Sequence, residues 1–333
     1  MSDHAHQLRI GNQNTRNTAF LAPMAGITDR PFRRIAARFG AGLVVSEMIA
    51  SAALGTGHNE MVRKLGNAGA LPHVVQLAGC EGRWMRLGAE IAHDAGADII
   101  DINFGCPSKR VTNGYAGSAL MRVPDQAMAL VDAVVSATPL PVTVKMRLGW
   151  DDDSLNAAEM ARRAVDAGAQ MITVHGRTRK QFYKGTARWA PVRDVVDAVD
   201  VPVVVNGDIT SVDSAREALS LSGAAAVMIG RGAQGQPWLV GQIGAQLAGY
   251  TAPARPQGAD LVDLVREHYE EILVEYGTSI GLRAARKHLD WYLMASSMVL
   301  EKSDRSRLLN CDQPREVVAM IKQFYSGDWR AAA

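Results

Sequence analysis

Eight short apolar runs, rich in β-branched residues, recur along the first two thirds of the chain with amphipathic stretches between them. They are Phe20–Met24, Leu43–Ser46, Val74–Leu77, Ile99–Asn103, Val142–Lys145, Ile172–His175, Val203–Asn206 and Ala226–Ile229. Several are apolar at successive positions, as strands covered on both faces require. The segments between them, such as Arg83–Ala95, Asp125–Ala137, Asn156–Ala167 and Val212–Leu221, carry a helical period. Glycines in Ala95–Ala97, Ala167–Ala169 and Gly223–Ala225 stand where a helix ends before the next strand. Eight βα units in succession predict an α/β fold, a (β/α)8 TIM barrel over residues 13–249. The alternative is an open doubly wound sheet, which carries a glycine-rich turn after its first strand. Here that place reads Pro23-Met24-Ala25-Gly26.

Residues 1–12 read as an N-terminal extension without the apolar stretch of a secretory signal. Residues 250–258 read as a linker, and 259–333 as a small all-helical C-terminal domain in which Leu261, Leu264, Val265 and His268 share a face. With 36 basic against 34 acidic residues, the 333-residue chain is no polycation, though a local basic face remains open to it. Cys80, Cys106 and Cys311 are too few and too far apart for a disulfide framework, which leads to the expectation of a reducing cytoplasm. No stretch reads as a membrane span, and no spacing of His, Cys, Asp or Glu suits a metal.

In such a barrel, chemistry gathers at the C-terminal ends of the strands. The residues there are Met24, Glu47, Gln76, Asn103 with Cys106, Lys145 with Arg147, His175 with Arg177, Asn206 with Asp208, and Gly230 with Arg231. The strand interiors read as apolar. The last two ends, Asn206-Gly207-Asp208 and Gly230-Arg231-Gly232, suit a phosphate, because glycine lets backbone N–H groups approach an anion. That signal does not separate a nucleotide cofactor from a sugar phosphate. Cys106, between Gly105 and Pro107, reads as a nucleophile, a general acid or a redox thiol, with Lys109 and Arg110 nearby to favour the thiolate. Lys145 would place a cation in the mouth to stabilise negative charge on a bound ring, and the Gln76 amide can read the edge of a heterocycle. Arg177 and Arg179 beside His175 suit a phosphate backbone.

Taken together, Ala22-Pro23-Met24-Ala25-Gly26, Gln76-Leu77-Ala78-Gly79, Asn103-Phe104-Gly105-Cys106-Pro107, Lys145-Met146-Arg147, His175-Gly176-Arg177-Thr178-Arg179, Asn206-Gly207-Asp208 and Gly230-Arg231-Gly232 resemble the tRNA-dihydrouridine synthases, in particular the bacterial B-type branch. The resemblance covers about residues 20–240, and Arg286-Lys287-His288-Leu289-Asp290 extends it into the helical domain. It implies a tightly bound FMN, NADPH or NADH as reductant, and reduction of the C5–C6 bond of specific uridines in the tRNA D-loop. It implies that Pro23, Met24, Ala25, Gln76, Lys145, His175, Asn206, Gly207, Asp208, Gly230 and Arg231 hold the flavin, with Cys106 as proton donor. Asn103, Lys109, Arg177, Arg179, Arg283, Arg286 and Lys287 are expected to face the RNA. No obligate protein partner is implied. A small-molecule flavin barrel resembling dihydroorotate dehydrogenase, a flavin-free phosphate-binding isomerase and a non-catalytic RNA-binding barrel are the competing readings. Arg188 stands where relatives are expected to carry an acidic residue.

Overall fold

The runs of β-branched residues become a parallel sheet that curls until its two edges meet. The computed structural model describes residues 7–69 and 72–326. An antiparallel pair, β1 (Arg9–Ile10) and β2 (Gln13–Asn14), precedes β3 (Ala19–Leu21), β4 (Leu43–Val44), β5 (Ile49–Ala50), β6 (Val74–Ala78), β7 (Ile99–Phe104), β8 (Val142–Arg147), β9 (Ile172–His175), β10 (Val203–Asn206) and β11 (Ala226–Ile229). The parallel sheet runs β4-β3-β11-β10-β9-β8-β7-β6-β5. A lone bridge from Val45 to Val74 then joins β4 to β6 and closes the ring. The eight expected strands are the eight staves of this barrel. The additional β5 pairs with the upper end of β6.

Successive residues of a strand face opposite sides, which sorts the core in two. Ile100, Ile102, Val144, Val174 and Val205 point outward and pack with the surrounding helices. Phe20, Leu43, Val45, Val74, Ile99, Met171, Val204, Ala226 and Met228 fill the inside, and Leu8 and Ile10 join them. Residues 7–12, read from sequence as part of an extension, thus contribute to the barrel filling.

Glycine closes several of the helices as the pattern requires. Gly96 has φ +82°, Gly168 +106° and Gly223 +68°, a backbone that other residues rarely adopt. The helix Arg30–Arg38 starts with Pro31 in its first turn, and its Phe32 N–H donates to the Asp29 carboxylate at 3.0 Å.

Helices Gly258–Tyr276, Thr278–Ala295, Lys302–Asn310 and Pro314–Tyr325 form the C-terminal region. Their apolar faces enclose a second core that takes in Ile35 and Trp238 from the barrel side. Alongside it, Arg30, Arg34 and Arg38 pair with Glu275, Glu271 and Glu267 at 2.5, 2.6 and 2.7 Å. The four-residue steps run in opposite directions, so the two helices lie antiparallel. Among the described residues, no helix is long and apolar enough to cross a membrane, and no group of three or more metal-ligating side chains is present. The cysteines are free and half-buried.

Candidate active site

Reading each strand along its inward face, from floor to mouth, the side chains turn from apolar to polar. β6 presents Val74 then Gln76; β7, Ile99, Asp101 and Asn103; β8, Thr143, Lys145 and Arg147; β9, Thr173 and His175, with Met171 just before it; β10, Val204 and Asn206. The middle of the barrel is therefore not apolar, as the sequence reading had it. Asp101, Thr143 and Thr173 are buried there.

One hydrogen-bonded chain crosses three strands. Thr143 Oγ1 donates to Asp101 Oδ1 at 2.5 Å, and Gln76 Nε2 donates to Asp101 Oδ2 at 2.6 Å. Asn103 Nδ2 donates to Gln76 Oε1 at 2.7 Å. Asn103 Oδ1 accepts the backbone N–H groups of Gly105 at 3.2 Å and Cys106 at 2.9 Å. Asn103 thus holds the cysteine loop, and the second hydrogen of its Nδ2 is left for a ligand at the mouth. Ser118 clasps the same loop from the other side, its Oγ donating to the Cys106 carbonyl at 2.9 Å. Arg147, 2% exposed, donates through Nε to the Gly105 carbonyl at 2.7 Å and through Nη1 to those of Thr178 and Phe182.

Burial pushes the Cys106 thiol above its ordinary pKa, offset in part by the Ser108 N–H and by the charges of Arg147 and Lys145. A thiol so placed stays protonated at neutral pH. Lys109 and Arg110, adjacent in sequence, are exposed on the next short helix and do not figure among these influences. Sequence proximity suggested thiolate stabilisation; the geometry corrects that.

Lys145 is buried, and its Nζ donates to Asn206 Oδ1 at 3.0 Å. Asn206 Nδ2 in turn donates to the Met228 carbonyl at 2.7 Å, which fixes the amide orientation. Burial lowers the Lys145 pKa to about 8, with Arg147 adding to the effect and Asp101 opposing it. Burial and the cations Arg147, Lys145, Arg177 and Arg231 hold His175 neutral, well below its usual range.

Arg177 turns inward. Its Nη1 and Nη2 grip both oxygens of Asp208, and further bonds go to the carbonyls of Lys184 and Gly185. At 1% exposure with its donors spent, it braces the mouth from inside, so its expected contact with RNA is corrected. Burial would raise the Asp208 carboxyl, but the Arg177 bonds, the Ala187 N–H and the charges of Arg177 and Arg231 hold it below the usual range. Arg231 adds a bond at 3.0 Å and is itself exposed. Gly207, at φ +118°, leaves no room for a side chain: an added Cβ would lie 2.7 Å from His175 Cδ2.

Met24 and Gly230 line the opposite wall, where a Cβ on Gly230 would stand 3.7 Å from both Ala22 Cβ and Met24 Sδ. Pro23 is half-buried and Ala25 exposed above them. Lys287, from the helix Thr278–Ala295, reaches the same rim, its Nζ 3.6 Å from where a Cβ of Gly26 would be. Glu47 sits there as well, its Oε1 accepting the Gly26 N–H at 2.5 Å. Arg179 packs over Trp150 with its guanidinium 4.8 Å from the ring centre, and Arg122 does the same. Arg188 pairs with Asp152 at 2.6 Å. Arg283 is exposed, and Arg286 and Lys287 are half-buried. Arg305, from the helix Lys302–Asn310, is engaged through two bonds with Asp290. Sequence reasoning missed the parts of Asp101 and Thr143; the alternation Asp101, Asn103 on one strand face was the available signal.

Fold and site together define an α/β-barrel protein whose polar groups, a held cysteine among them, collect at the C-terminal mouth. The dihydrouridine synthase family profile matches residues 20–324. A protein named probable tRNA-dihydrouridine synthase from Rhodobacter capsulatus is 55% identical over 309 residues, covering 92% of this chain and 94% of its own. One named tRNA-dihydrouridine synthase B from Pseudomonas putida is 41% identical, covering 96% and 94%. Among solved structures, morphinone reductase superposes with a TM-score of 0.52 at 15% identity, over 74% of this chain and 90% of that one, a likeness of fold. The chain belongs to the dihydrouridine synthase family.

Proposed function

We propose that this chain is an FMN-dependent tRNA-dihydrouridine synthase of the cytoplasm that reduces the C5–C6 bond of specific uridines in the tRNA D-loop, with NADPH or NADH as electron source. The observation that carries this reading is the presence at one barrel mouth of a half-buried, loop-held cysteine and a buried lysine. Family membership supports the substrate class.

The donor set fits a flavin. Lys145 donates one hydrogen bond, to Asn206, and an ammonium has three hydrogens, so donors remain for an acceptor on a ring edge. Thr173 Oγ1, in register with Lys145, is buried without a partner. Met24, Ala22 and Gly230 provide an apolar wall. The residues that would hold FMN are Pro23, Met24, Ala25, Gln76, Lys145, His175, Asn206, Gly207, Asp208, Gly230 and Arg231. When bound and reduced, FMN supplies the hydride for uridine C6.

The protein then supplies the proton. The Cys106 Sγ–H delivers it to C5 of the uracil, a role that needs the protonated thiol which burial favours. Lys145 stabilises negative charge at the ring edge. Asn103 keeps the cysteine loop in place, and Arg177 with Asp208 stiffens the phosphate side. The target base leaves its stack to enter the mouth. Lys109, Arg179, Arg283, Arg286 and Lys287 are the cations that would meet RNA phosphates, and binding would weaken with salt accordingly.

The test is anaerobic. Protein reduced by NADPH or NADH is mixed with tRNA lacking dihydrouridine, or with free uridine. Reoxidation by tRNA alone, with new dihydrouridine mapped to the D-loop, is the expected result. Equal reoxidation by free pyrimidine, or protein purified without flavin, overturns the reading.

A further inference from the structure

We propose that Asp101 is a positioning residue: it supplies the inner acceptor that completes a hydrogen-bonded chain running through Gln76 and Asn103 to the Cys106 loop, and so holds that loop in place. The direction of that chain follows from its outer end. Backbone N–H groups can only donate, so the Gly105 and Cys106 amides fix the side-chain oxygen of Asn103 toward the loop. Its nitrogen must then face Gln76 and donate to Oε1. The Gln76 nitrogen is left facing inward and needs an acceptor inside the barrel. Asp101 Oδ2 is that acceptor, and Thr143 Oγ1 holds the other oxygen.

The three links between side chains are short and buried, and each amide has one orientation that satisfies its neighbours on both sides. If the acceptor at 101 is lost, the Gln76 nitrogen is buried without a partner and only the Asn103 bond still orients its amide. Were its amide to turn over, its nitrogen would meet the Asn103 nitrogen, and Asn103 would have to turn its own donors toward the two backbone N–H groups. The loop would then come off its anchor. Because the Gln76 amide also belongs to the proposed flavin edge, one buried carboxylate aligns both halves of the site. This catalytic meaning rests on the proposed function, whereas the chain itself does not.

The experiment compares Asp101→Leu, which removes the acceptor while filling the space, with Asp101→Asn, which keeps one acceptor. Asparagine can turn its oxygen to Gln76 and its nitrogen to the Thr143 hydroxyl, which is able to accept. The readout is iodoacetamide alkylation of Cys106 across pH, followed by mass spectrometry of the Cys106 peptide. It needs neither flavin nor RNA, so its failure is distinct from failure of the functional reading. Asp101→Leu is expected to speed alkylation roughly tenfold and to lower the pH midpoint, as the thiol emerges from burial. Asp101→Asn is expected to stay within about twofold of the parent. A folded Asp101→Leu with the parent's profile overturns the proposal. So does an Asp101→Asn that matches Asp101→Leu, since charge rather than acceptor would then matter. If the leucine variant does not fold, Gln76→Leu cuts the same chain one link nearer the loop. It carries the same expectation, and an unmoved profile there overturns the proposal equally.

Discussion

Arg177 and Asp208 meet side-on, with Nη1 on Oδ1 at 2.9 Å and Nη2 on Oδ2 at 2.5 Å, while the guanidinium is almost wholly buried. A bidentate pair of this kind depends on the planar fork. Arg177→Met would leave Asp208 with Arg231 and the Ala187 N–H alone, and would orphan the Lys184 and Gly185 carbonyls. We expect a loss of about 2–4 kcal/mol in urea unfolding, since removing one partner of a buried pair costs more than the pair contributes. Arg177→Lys should recover less than half of that.

The proton-donor role predicts a split between half-reactions. Cys106→Ala should keep flavin content and NADPH oxidation near the parent's, yet cut dihydrouridine formation on tRNA by about 100-fold or more. Single-turnover kinetics with each half isolated would check this. Full product yield from that variant would remove Cys106 from the chemistry.

His288 lies within the helical core against Phe32, His268 and Trp291, and neither of its ring nitrogens has a partner. Burial, then the charges of His268 and Lys287, hold it neutral. Its folded pKa lies below its unfolded one, so the unfolded chain takes up a proton first as pH falls. Below the unfolded value of about 6.5, this group removes about 1.4 kcal/mol of stability per pH unit. His288→Phe should therefore flatten the acid limb of stability against pH by that slope, and be neutral or stabilising at pH 8. A parallel acid limb in the two proteins would refute the assignment.

The arginine–glutamate ladder between helices Arg30–Arg38 and Gly258–Tyr276 is graded by exposure. Glu275 is 4% exposed on its side chain, Glu271 23% and Glu267 36%. Exposed pairs contribute roughly 0–1 kcal/mol, whereas a desolvated partner left unpaired costs more. Glu275→Gln should thus destabilise by about 1–3 kcal/mol, and Glu267→Gln by about 0.5 kcal/mol or less. Chemical denaturation of the two single variants gives the order directly.

Gly207→Ala should be poorly tolerated. The backbone is at φ +118°, and the new methyl would press on His175 and on Ala187 Cβ at 2.8 Å. Strain of about 1–3 kcal/mol is expected from the backbone alone. A melting temperature unchanged from the parent would show that the loop relaxes.

The barrel was legible because its signal is physical and repeated. Val203, Val204 and Val205 are apolar on both faces because each face is covered, and the glycines at 96, 168 and 223 mark helix ends that demand a left-handed backbone. β5 was not legible, since Ile49 and Ala50 are too few to carry a period. Gln76, Asn103, Cys106, Lys145 and Asn206 do converge on the mouth as their strand ends implied. What sequence could not separate was a polar group that serves a ligand from one that serves its neighbours. Arg177 is spent inside the protein, a matter of side-chain direction that adjacency in the chain does not encode. Likewise Lys109 follows Cys106 closely in sequence, yet the cations that act on the thiol are Arg147 and Lys145, delivered by the next strand.

The ring of staves is stitched unevenly. Between β7 and β8 five residue pairs are in register, but between β4 and β6 the connection narrows to the Val45–Val74 bridge. A wall with one sparse seam yields there first, and deuterium should enter the amides around Val45 and Ser46 ahead of those in β8. That seam lies two residues before Glu47, whose carboxylate holds the Gly26 N–H at the rim, so the earliest exchange would be found next to the wall of Met24 and Gly230 and away from the Cys106 and Lys145 staves.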